Sequence, residues 1–235
     1  MENSVKAVLF DYGGTIDNFG DHWAVTLREA HKAAGLGYVP LEDFIEAYIA
    51  GERAMAKGGY ITPQSDYRDT MLAKARLELE ALRAKGHDMA DAVLEERAQA
   101  VADYCDAAAR RSVEAAKPVL ERLSKKYKLV LVSNFYGNVA AVIDAYGLTP
   151  YFTDVIDSTA VGVKKPDPEI FAMAIRRLGL APADVAVVGD SIDKDIEPAL
   201  SLGCRAYWIV GRQWFRADPA PAPCPAIRTL AELPL

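Results

Sequence analysis

Several short segments of the sequence place polar side chains directly after an apolar, strand-like run. Asp11 follows the first run, Ser133 and Asn134 follow the second, and Asp190 follows a later one. A loop between the last two runs carries Lys165. Because parallel strands end at one edge of a sheet, these side chains are expected to converge there. They bring together a carboxylate nucleophile, a hydroxyl, a lysine and further carboxylates.

The carboxylates among these residues also indicate a metal site. Asp11 and Asp190 offer the hard oxygen ligands that Mg²⁺ prefers. Lys165 and Ser133 would then bind the oxygens of a phosphate group. The sequence therefore indicates magnesium-assisted chemistry on a phosphorylated compound.

The elements that position these residues alternate between strand and helix in the second half of the chain. The apolar runs predict strands at 5–10, 129–132, 154–156, 185–188 and 205–210. The segments between and after them predict helices at 118–127, 138–146, 168–178 and 195–202, an extended tail at 218–225 and a short last element at 226–233. Pro118 is expected in the first turn of its helix. This alternation with short connections predicts an α/β fold with a doubly wound parallel sheet.

A long stretch before the second strand differs in composition, being rich in Ala, Glu, Arg and Leu. Its apolar spacing and its glycine and proline breaks predict helices at 21–34, 41–57, 65–85 and 88–111. We therefore predict an all-helical insertion at 18–111, and a core formed by 1–17 and 112–235.

Composition excludes several other classes of protein. The 235 residues are 51% hydrophobic, and 27 basic against 33 acidic residues give a net charge of −6, which argues against disorder and against nucleic-acid binding. Cys105, Cys204 and Cys224 are widely spaced, so neither a disulfide framework nor a zinc site is expected. No apolar run approaches the ~20 residues that a membrane-spanning helix needs. We expect a cytoplasmic protein, a monomer or a homodimer, without membrane partners.

The motifs resemble those of the haloacid dehalogenase-like (HAD) hydrolase superfamily over essentially the whole chain. The four matching segments are Asp11-Tyr12-Gly13-Gly14-Thr15, Ser133, Lys165 with the following Pro166-Asp167-Pro168, and Gly189-Asp190-Ser191-Ile192-Asp193-Lys194-Asp195. The helical insertion falls where this superfamily places its larger, C1-type cap. The resemblance therefore implies a Rossmann-like core with a helical cap over the site.

The resemblance also implies how a phosphorylated small metabolite would be bound and attacked. Asp11 would be the nucleophile and would form an aspartyl-phosphate. Ser133 and Asn134 would bind the phosphoryl group, and Thr15 would contribute to phosphate or substrate binding and support the loop beside it. Lys165 would neutralise Asp11 and the phosphate oxygens. Lys164, the preceding residue, is a less favoured candidate for the same role.

The metal ligands follow from the same resemblance. Mg²⁺ would be held by Asp11, by the backbone carbonyl of Gly13 and by Asp190. Asp195 would stand behind these ligands and orient bound water or the lysine.

The first motif departs from the pattern of the superfamily's phosphatases at one position. Those enzymes have a second aspartate two residues after the nucleophile, as acid and base, where this chain has Gly13. General acid–base catalysis is typically worth about 10²–10⁴-fold. A phosphatase would therefore need an acid from elsewhere, with His22 the best candidate and Asp17 and Asp21 as rivals, or an aryl or acyl phosphate as substrate.

Two other interpretations remain open on the same departure. In the first, the chain resembles the relatives that cleave carbon–phosphorus bonds, which also lack the second aspartate and use a lysine of the cap to form a Schiff base with the substrate. Lys32 or Lys57 would then be that lysine. Alternatively, the protein would bind a phosphorylated ligand or a partner without useful turnover.

Substrate specificity is expected from the insertion and the residues that lead into it. These candidates are largely aromatic and favour a partly apolar or planar leaving group. They are Tyr12, Phe19, His22, Trp23, Tyr60, Tyr67 and Arg68.

Overall fold

A parallel β-sheet forms the core in the computed structural model, which describes residues 5–213 and 222–235. Its strands are β1 (Ala7–Phe10), β2 (Lys128–Ser133), β3 (Asp154–Asp157), β4 (Val185–Gly189), β5 (Arg205–Ile209) and β6 (Ala226–Ile227). Within the described residues they form one sheet in the order β3-β2-β1-β4-β5-β6, with every pairing parallel. The chain order reverses beside β1, and such a reversal is where α/β sheets form their binding crevices. Half of the predicted tail at 218–225, residues 218–221, lies outside the described residues.

Helices flank this sheet and fill the connection between its first two strands. The helices of that connection are α1 (Trp23–His31), α2 (Leu41–Lys57), α3 (Tyr67–Ala84) and α4 (Asp91–Ser124). The remaining helices are α5 (Val139–Ala145), α6 (Ser158–Val161), α7 (Glu169–Leu178) and α8 (Glu197–Ser201). Shorter helical turns lie at Lys32–Leu36, Thr149–Tyr151, Pro182–Asp184, Ile192–Ile196 and Leu230–Glu232. Across the described ranges, no helix has both the length and the apolar character for crossing a membrane. The predicted α/β class and its helical insertion are confirmed.

The two faces of the sheet bury two different clusters of side chains. Val8 and Phe10 of β1 point into one cluster, which runs on into the helical insertion. Ala7 and Leu9 point into the other, together with apolar residues of α7 and α8. Because β1 is buried on both faces, its ends are held rigidly, and so is the residue that follows it.

Helix α4 corrects one of the predictions. Residues 88–111 and 118–127 were expected to form two helices, but one continuous helix runs from Asp91 to Ser124 with Pro118 inside it. Proline removes one hydrogen bond of the helix, to the carbonyl of Glu114. Both Pro118 and Glu114 are exposed, so water can satisfy that carbonyl. The prediction of a break before Pro118 is wrong because it ignored this solvation.

The two connections between the core and the insertion lie side by side. The Ser112 hydroxyl in α4 donates a hydrogen bond to the Ile16 carbonyl at 2.8 Å and accepts one from the Phe19 amide at 3.2 Å. The predicted division at 17/18 and 111/112 passes through this contact and through the middle of α4. It stays a prediction.

The insertion buries charged groups as well as apolar ones. Glu78 of α3 is fully buried, and one of its oxygens lies 3.4 Å from His31 Nε2. Because His31 Nδ1 bonds to the Leu27 carbonyl, Nε2 is left as the acceptor, and a protonated Glu78 can donate to it. Gly51 of α2 makes room for the Glu78 stem, since a Cβ there would lie 3.0 Å from Glu78 Cγ.

We expect Glu78→Gln to make the protein more stable at pH 8. Burial raises the pKa of Glu78 from 4.5 to about 8, although Lys74 opposes the shift. A raised carboxyl pKa means that the folded state loses stability as pH rises from about 4.5 towards 8. Glutamine keeps a donor for His31 and carries no such loss. At about 1.4 kcal/mol per pKa unit, the variant should gain at least about 1 kcal/mol at pH 8.

Urea unfolding at pH 5 and pH 8 measures this effect. The difference between variant and wild type should shrink at pH 5, where Glu78 is already protonated. The titratable groups that face Glu78 are the same in the variant and in wild type, so they do not account for the difference. They are His31, Lys74, Glu52 and Cys105. Glu80→Gln, on the exposed side of α3, is the matched control and should change neither value. An equal effect of Glu78→Gln at both pH values would contradict a buried, protonated Glu78.

Candidate active site

Asp11 lies one residue beyond β1 and is held by donors from two other segments. Its Oδ1 accepts hydrogen bonds from the Ser133 hydroxyl at 2.9 Å and from its neighbour Tyr12 N–H at 2.7 Å. The Lys165 ammonium lies 2.8 Å from the same oxygen. The side chain is 10% exposed, so one carboxylate face is fixed by the protein while the residue still lines the cleft above the sheet.

Lys165 is a buried cation between two carboxylates. Its Nζ lies 2.7 Å from Asp195 Oδ1 as well as 2.8 Å from Asp11, and the residue is 3% exposed. Burial by itself lowers the pKa of Lys165, but the charges of Asp11 and Asp195 outweigh it and raise the pKa above its ordinary value. Lys165 is therefore a permanent positive charge beside Asp11.

Asn134 positions this lysine. Its side-chain oxygen accepts from the Lys165 backbone N–H at 2.8 Å, and its side-chain N–H donates to the Lys165 carbonyl at 2.9 Å. Both ends of the amide are used in this way, so Asn134 clamps the loop that carries Lys165. Its expected contact with phosphate stays a prediction.

Three aspartates form a compact group at the ends of β1 and β4. Asp11, Asp190 and Asp195 each offer an oxygen, and these atoms all lie within 4.8 Å of one another. Burial, and then the charges of Asp11 and Asp195, raise the pKa of Asp190 well above its ordinary value. Burial also raises the pKa of Asp195 to about 6, with Lys165 acting in the opposite direction.

Such a group fits a divalent cation. Its ligand atoms are carboxylate oxygens, and Lys165 supplies only one positive charge for three carboxylates. A hard cation such as Mg²⁺ would restore the ionised form of Asp190. Asp195 is the least available ligand, because Oδ1 contacts Lys165 and Oδ2 accepts from the Ser191 N–H at 3.1 Å.

The loop after Asp11 is shaped around Asp190. Gly14 has a φ of 83°, and a Cβ there would lie 2.5 Å from Asp190 Oδ2. The Thr15 hydroxyl donates to Asp190 Oδ1 at 3.4 Å, and the Trp208 indole donates to the Asp190 carbonyl at 2.9 Å. Thr15 is 1% exposed and does not line the cleft. Its position suits the expected support of the loop, and a contact between Thr15 and phosphate stays a prediction.

His22 lines the cleft, as expected for a residue that reaches the substrate. It is also the N-cap of α1, where its Nδ1 accepts from the Ala24 N–H at 3.2 Å. Burial, followed by the nearby charges of Lys194 and Lys74, lowers the pKa of His22 to about 4. At neutral pH the ring is therefore uncharged, with its hydrogen on Nε2. It can donate a hydrogen bond, and its role as the acid stays a prediction.

The two rival acids have other partners. Asp17 is 1% exposed and accepts from the Gly14 N–H at 2.7 Å and from the Trp23 indole N–H at 2.9 Å. Asp21 accepts from the backbone N–H and the guanidinium of Arg212. Neither lines the cleft.

The wall of the cleft that faces the core comes largely from one side of α2. Tyr48, Glu52 and Met55 follow helical spacing and line a cavity of about 590 Å³, a size that suits a small molecule. Glu52 is held by the Tyr136 hydroxyl at 2.9 Å and by the fully buried Lys74 ammonium. The i, i+4 spacing of Tyr48 and Glu52 is the sequence signal that could have identified this wall.

Two of the predicted specificity residues, His22 and Trp23, line this cleft. The others lie elsewhere: Tyr12 and Tyr67 are buried in the core, Arg68 pairs with Asp103, and Phe19 and Tyr60 are exposed outside the cleft. Of the seven candidates, the two at the start of α1 lie beside the cleft, and their role in specificity stays a prediction.

The lysines considered for a Schiff base differ in position. Lys57 is exposed and lines the cleft, whereas Lys32 is exposed and does not. Sequence reasoning missed Lys74, which is buried. Burial lowers its pKa, but Glu52 and three further groups, Tyr136, Tyr48 and Glu78, together raise it well above the ordinary value. A lysine that stays protonated is a poor amine nucleophile.

The chain is similar in sequence and in fold to known proteins. A family model described as haloacid dehalogenase-like hydrolase matches residues 5–203. Haloacid dehalogenase-like hydrolase domain-containing protein 3 of Mus musculus is 32% identical over 198 residues, 83% of this chain and 76% of that protein. The phosphoserine phosphatase of Thermus thermophilus is 44% identical over 63 residues, only 27% of this chain and 25% of that protein. The crystal structure of a HAD phosphatase from Thermococcus onnurineus matches with a TM-score of 0.54 and 26% identity, covering 97% of this chain and 96% of that one.

Proposed function

Because the chain belongs to the haloacid dehalogenase-like hydrolase family, we propose that it is a Mg²⁺-dependent phosphatase of small phosphorylated metabolites. The observation that supports this most is the fixation of Asp11. Ser133 and Lys165 hold one oxygen of its carboxylate at 2.9 and 2.8 Å. Pure binding of a phosphate needs no carboxylate at this point, since its negative charge repels the ligand. Phosphatases among the relatives support the same choice.

The proposed reaction begins with attack by Asp11 on the phosphorus atom. A carboxylate oxygen forms the new P–O bond, the ester P–O bond breaks, and its electron pair leaves with the departing oxygen. Ser133 and Lys165 lie beside the carboxylate. Both would donate to the oxygens of the transferring group, which for Ser133 requires its hydroxyl hydrogen to turn away from Asp11. Water then releases phosphate from the aspartyl-phosphate and regenerates Asp11.

Mg²⁺ held by Asp11, Asp190 and the Gly13 carbonyl would neutralise charge on the phosphoryl oxygens. Asp195 keeps Lys165 in place from the opposite side. Gly14 leaves the space that Asp190 requires. The chain's own contribution is a rigid cradle, and Gly13 contributes no proton to the departing oxygen.

A phosphate-release assay over several ester classes tests the proposal. Acetyl phosphate and 4-nitrophenyl phosphate should be hydrolysed with Mg²⁺ and not with a chelator, and alkyl phosphates should be slower by about 10²-fold or more. Asp190→Asn should raise the Mg²⁺ concentration needed for half-maximal rate at least about tenfold. Asp193→Asn, three residues away and outside the carboxylate group, should not.

Two outcomes would count against the proposal. The absence of Mg²⁺-dependent release from every ester, with Mg²⁺ and phosphate still bound, would favour the binding protein. Release of phosphate from an alkylphosphonate instead would favour the carbon–phosphorus hydrolase.

A further inference from the structure

The ring of Trp23 borders the space beside Gly13. A Cβ added to Gly13 would meet the ring of Trp23, with three ring atoms between 3.3 and 3.5 Å away. The shortest of these distances, 3.3 Å, is tighter than most real Cβ contacts, so the ring would have to shift by a few tenths of an ångström, and a carboxylate needs space beyond the Cβ as well. The Gly13 backbone itself has no positive φ that would demand glycine. The indole ring therefore leaves little room for a side chain at position 13.

Trp23 is fixed in this place from several sides. Its indole N–H donates to Asp17 at 2.9 Å, and Asp17 accepts in turn from the Gly14 N–H at 2.7 Å. The ring packs edge-to-face on Tyr67 and Phe135, with 5.8 Å between centroids in each case. Asp17 thus ties the indole to the loop of the first motif. A ring held in this way cannot swing aside at little cost.

The same ring lines the cleft next to Asp11. Trp23, Phe135, Tyr48 and Tyr136 all contribute to its wall. A leaving group attached to a phosphate on Asp11 must pass this wall on its way out. A flat aromatic group packs well against aromatic side chains, whereas a short alkyl group gains little.

We propose that Trp23 stands in the place of the missing acid and selects substrates whose leaving group is an aromatic ring, that is, aryl phosphates. This rests on the proposed phosphatase function and names its substrate class. The ester P–O electron pair leaves with the aryl oxygen as a phenolate, which takes its proton from solvent. A phenol has a pKa of about 10, as in tyrosine, against about 16 for water, so it departs without an acid.

The first test compares phenyl phosphate with ethyl phosphate. Trp23→Leu should lower kcat/KM for phenyl phosphate about tenfold and change that for ethyl phosphate less than about threefold. Tyr60→Leu, an aromatic residue of the insertion outside the cleft, is the matched control and should change neither. An equal loss on both substrates would show that Trp23 only supports the fold and would overturn the inference.

The second test restores the acid. Gly13→Asp alone should lose activity on both esters, because its carboxylate collides with the ring. Gly13→Asp combined with Trp23→Ala should hydrolyse ethyl phosphate at least about tenfold faster than Trp23→Ala alone. A gain on ethyl phosphate from Gly13→Asp with Trp23 intact would show that the space is free, which overturns the inference.

Binding separates a failure of this inference from a failure of the proposed function. If wild type hydrolyses no ester, phosphatase function falls, and the affinities for phenylphosphonate and methylphosphonate with Mg²⁺ decide the role of Trp23. Their ratio should fall about tenfold in Trp23→Leu. An unchanged ratio, or no binding of either compound to wild type, overturns the inference.

Discussion

Asp11→Asn is expected to abolish turnover while leaving the fold intact. The amide keeps an oxygen that accepts from Ser133 and Lys165, but it cannot form the acyl-phosphate. Loss of a nucleophile typically costs a factor of about 10⁴ or more in kcat. The free energy of unfolding should change little or rise, because the substitution removes one of three closely spaced carboxylates. Lys165 retains its ion pair with Asp195. Phosphate release and thermal unfolding, measured on the same preparation, check both halves.

Asp88→Asn is the matched control, because Asp88 is exposed and lies in the connection before α4. It should match wild type in both measurements. Acid quenching followed by mass spectrometry should detect a phosphorylated Asp11 in wild type and none in Asp11→Asn. Turnover that survives in Asp11→Asn would mean that water attacks the phosphorus directly, and the nucleophile assignment would be wrong.

The core of the fold follows from simple features of the sequence. Most of the predicted strands are short runs rich in β-branched and aliphatic residues, and buried parallel strands have this composition because helices cover both faces. Once the strands are parallel, their carboxyl ends must share an edge. The convergence of Asp11, Ser133 and Asp190 was therefore predictable although the residues are distant in sequence. Lys165 arrives from a loop, and its position depends on the clamp by Asn134.

The polar interior of the insertion was not predicted, although its signal was present. Lys74 and Glu78 fall on the same face of α3 as Met71 and Leu82, and all four are buried. An analysis of apolar spacing alone passes over such charged residues, because it assumes that they face water. Their burial depends on partners from other helices, such as Glu52 and His31. Spacing within one helix carries no information about those partners.

The contact between Gly13 and Trp23 could not be predicted from the sequence, for a different reason. Sequence showed a missing acid at Gly13 and, separately, an aromatic residue at the start of α1. Whether the ring fills the space depends on the direction of a Cβ that glycine lacks and on the hydrogen bond to Asp17. The sequence shows only that the second aspartate is missing at position 13, whereas the structure shows that the Trp23 ring packs beside that position.

Lys165→Met is expected to unfold the site as well as inactivate it. The substitution leaves Asp11 and Asp195 buried without the cation that both contact, and Asp190 lies within the same group. Breaking a buried ion pair by removing one partner typically costs about 3–5 kcal/mol. Denaturant unfolding at pH 7.5 without Mg²⁺ should show a loss of this size. Burial raises the pKa of Asp195 to about 6, so protonation of Asp195 should reduce the loss at pH 5.

Lys164→Met is the matched control, because Lys164 is the adjacent lysine, lines the same cleft and is exposed. It should lose less than about 1 kcal/mol, as exposed charges do. Combining Lys165→Met with Asp195→Asn should recover stability and not activity, since the double variant removes a repelling carboxylate but restores no cation beside Asp11. Equal losses from Lys164→Met and Lys165→Met would contradict this assignment. If activity returned in the double variant, Lys165 would serve only to balance Asp195, and the phosphoryl group would need another positive partner.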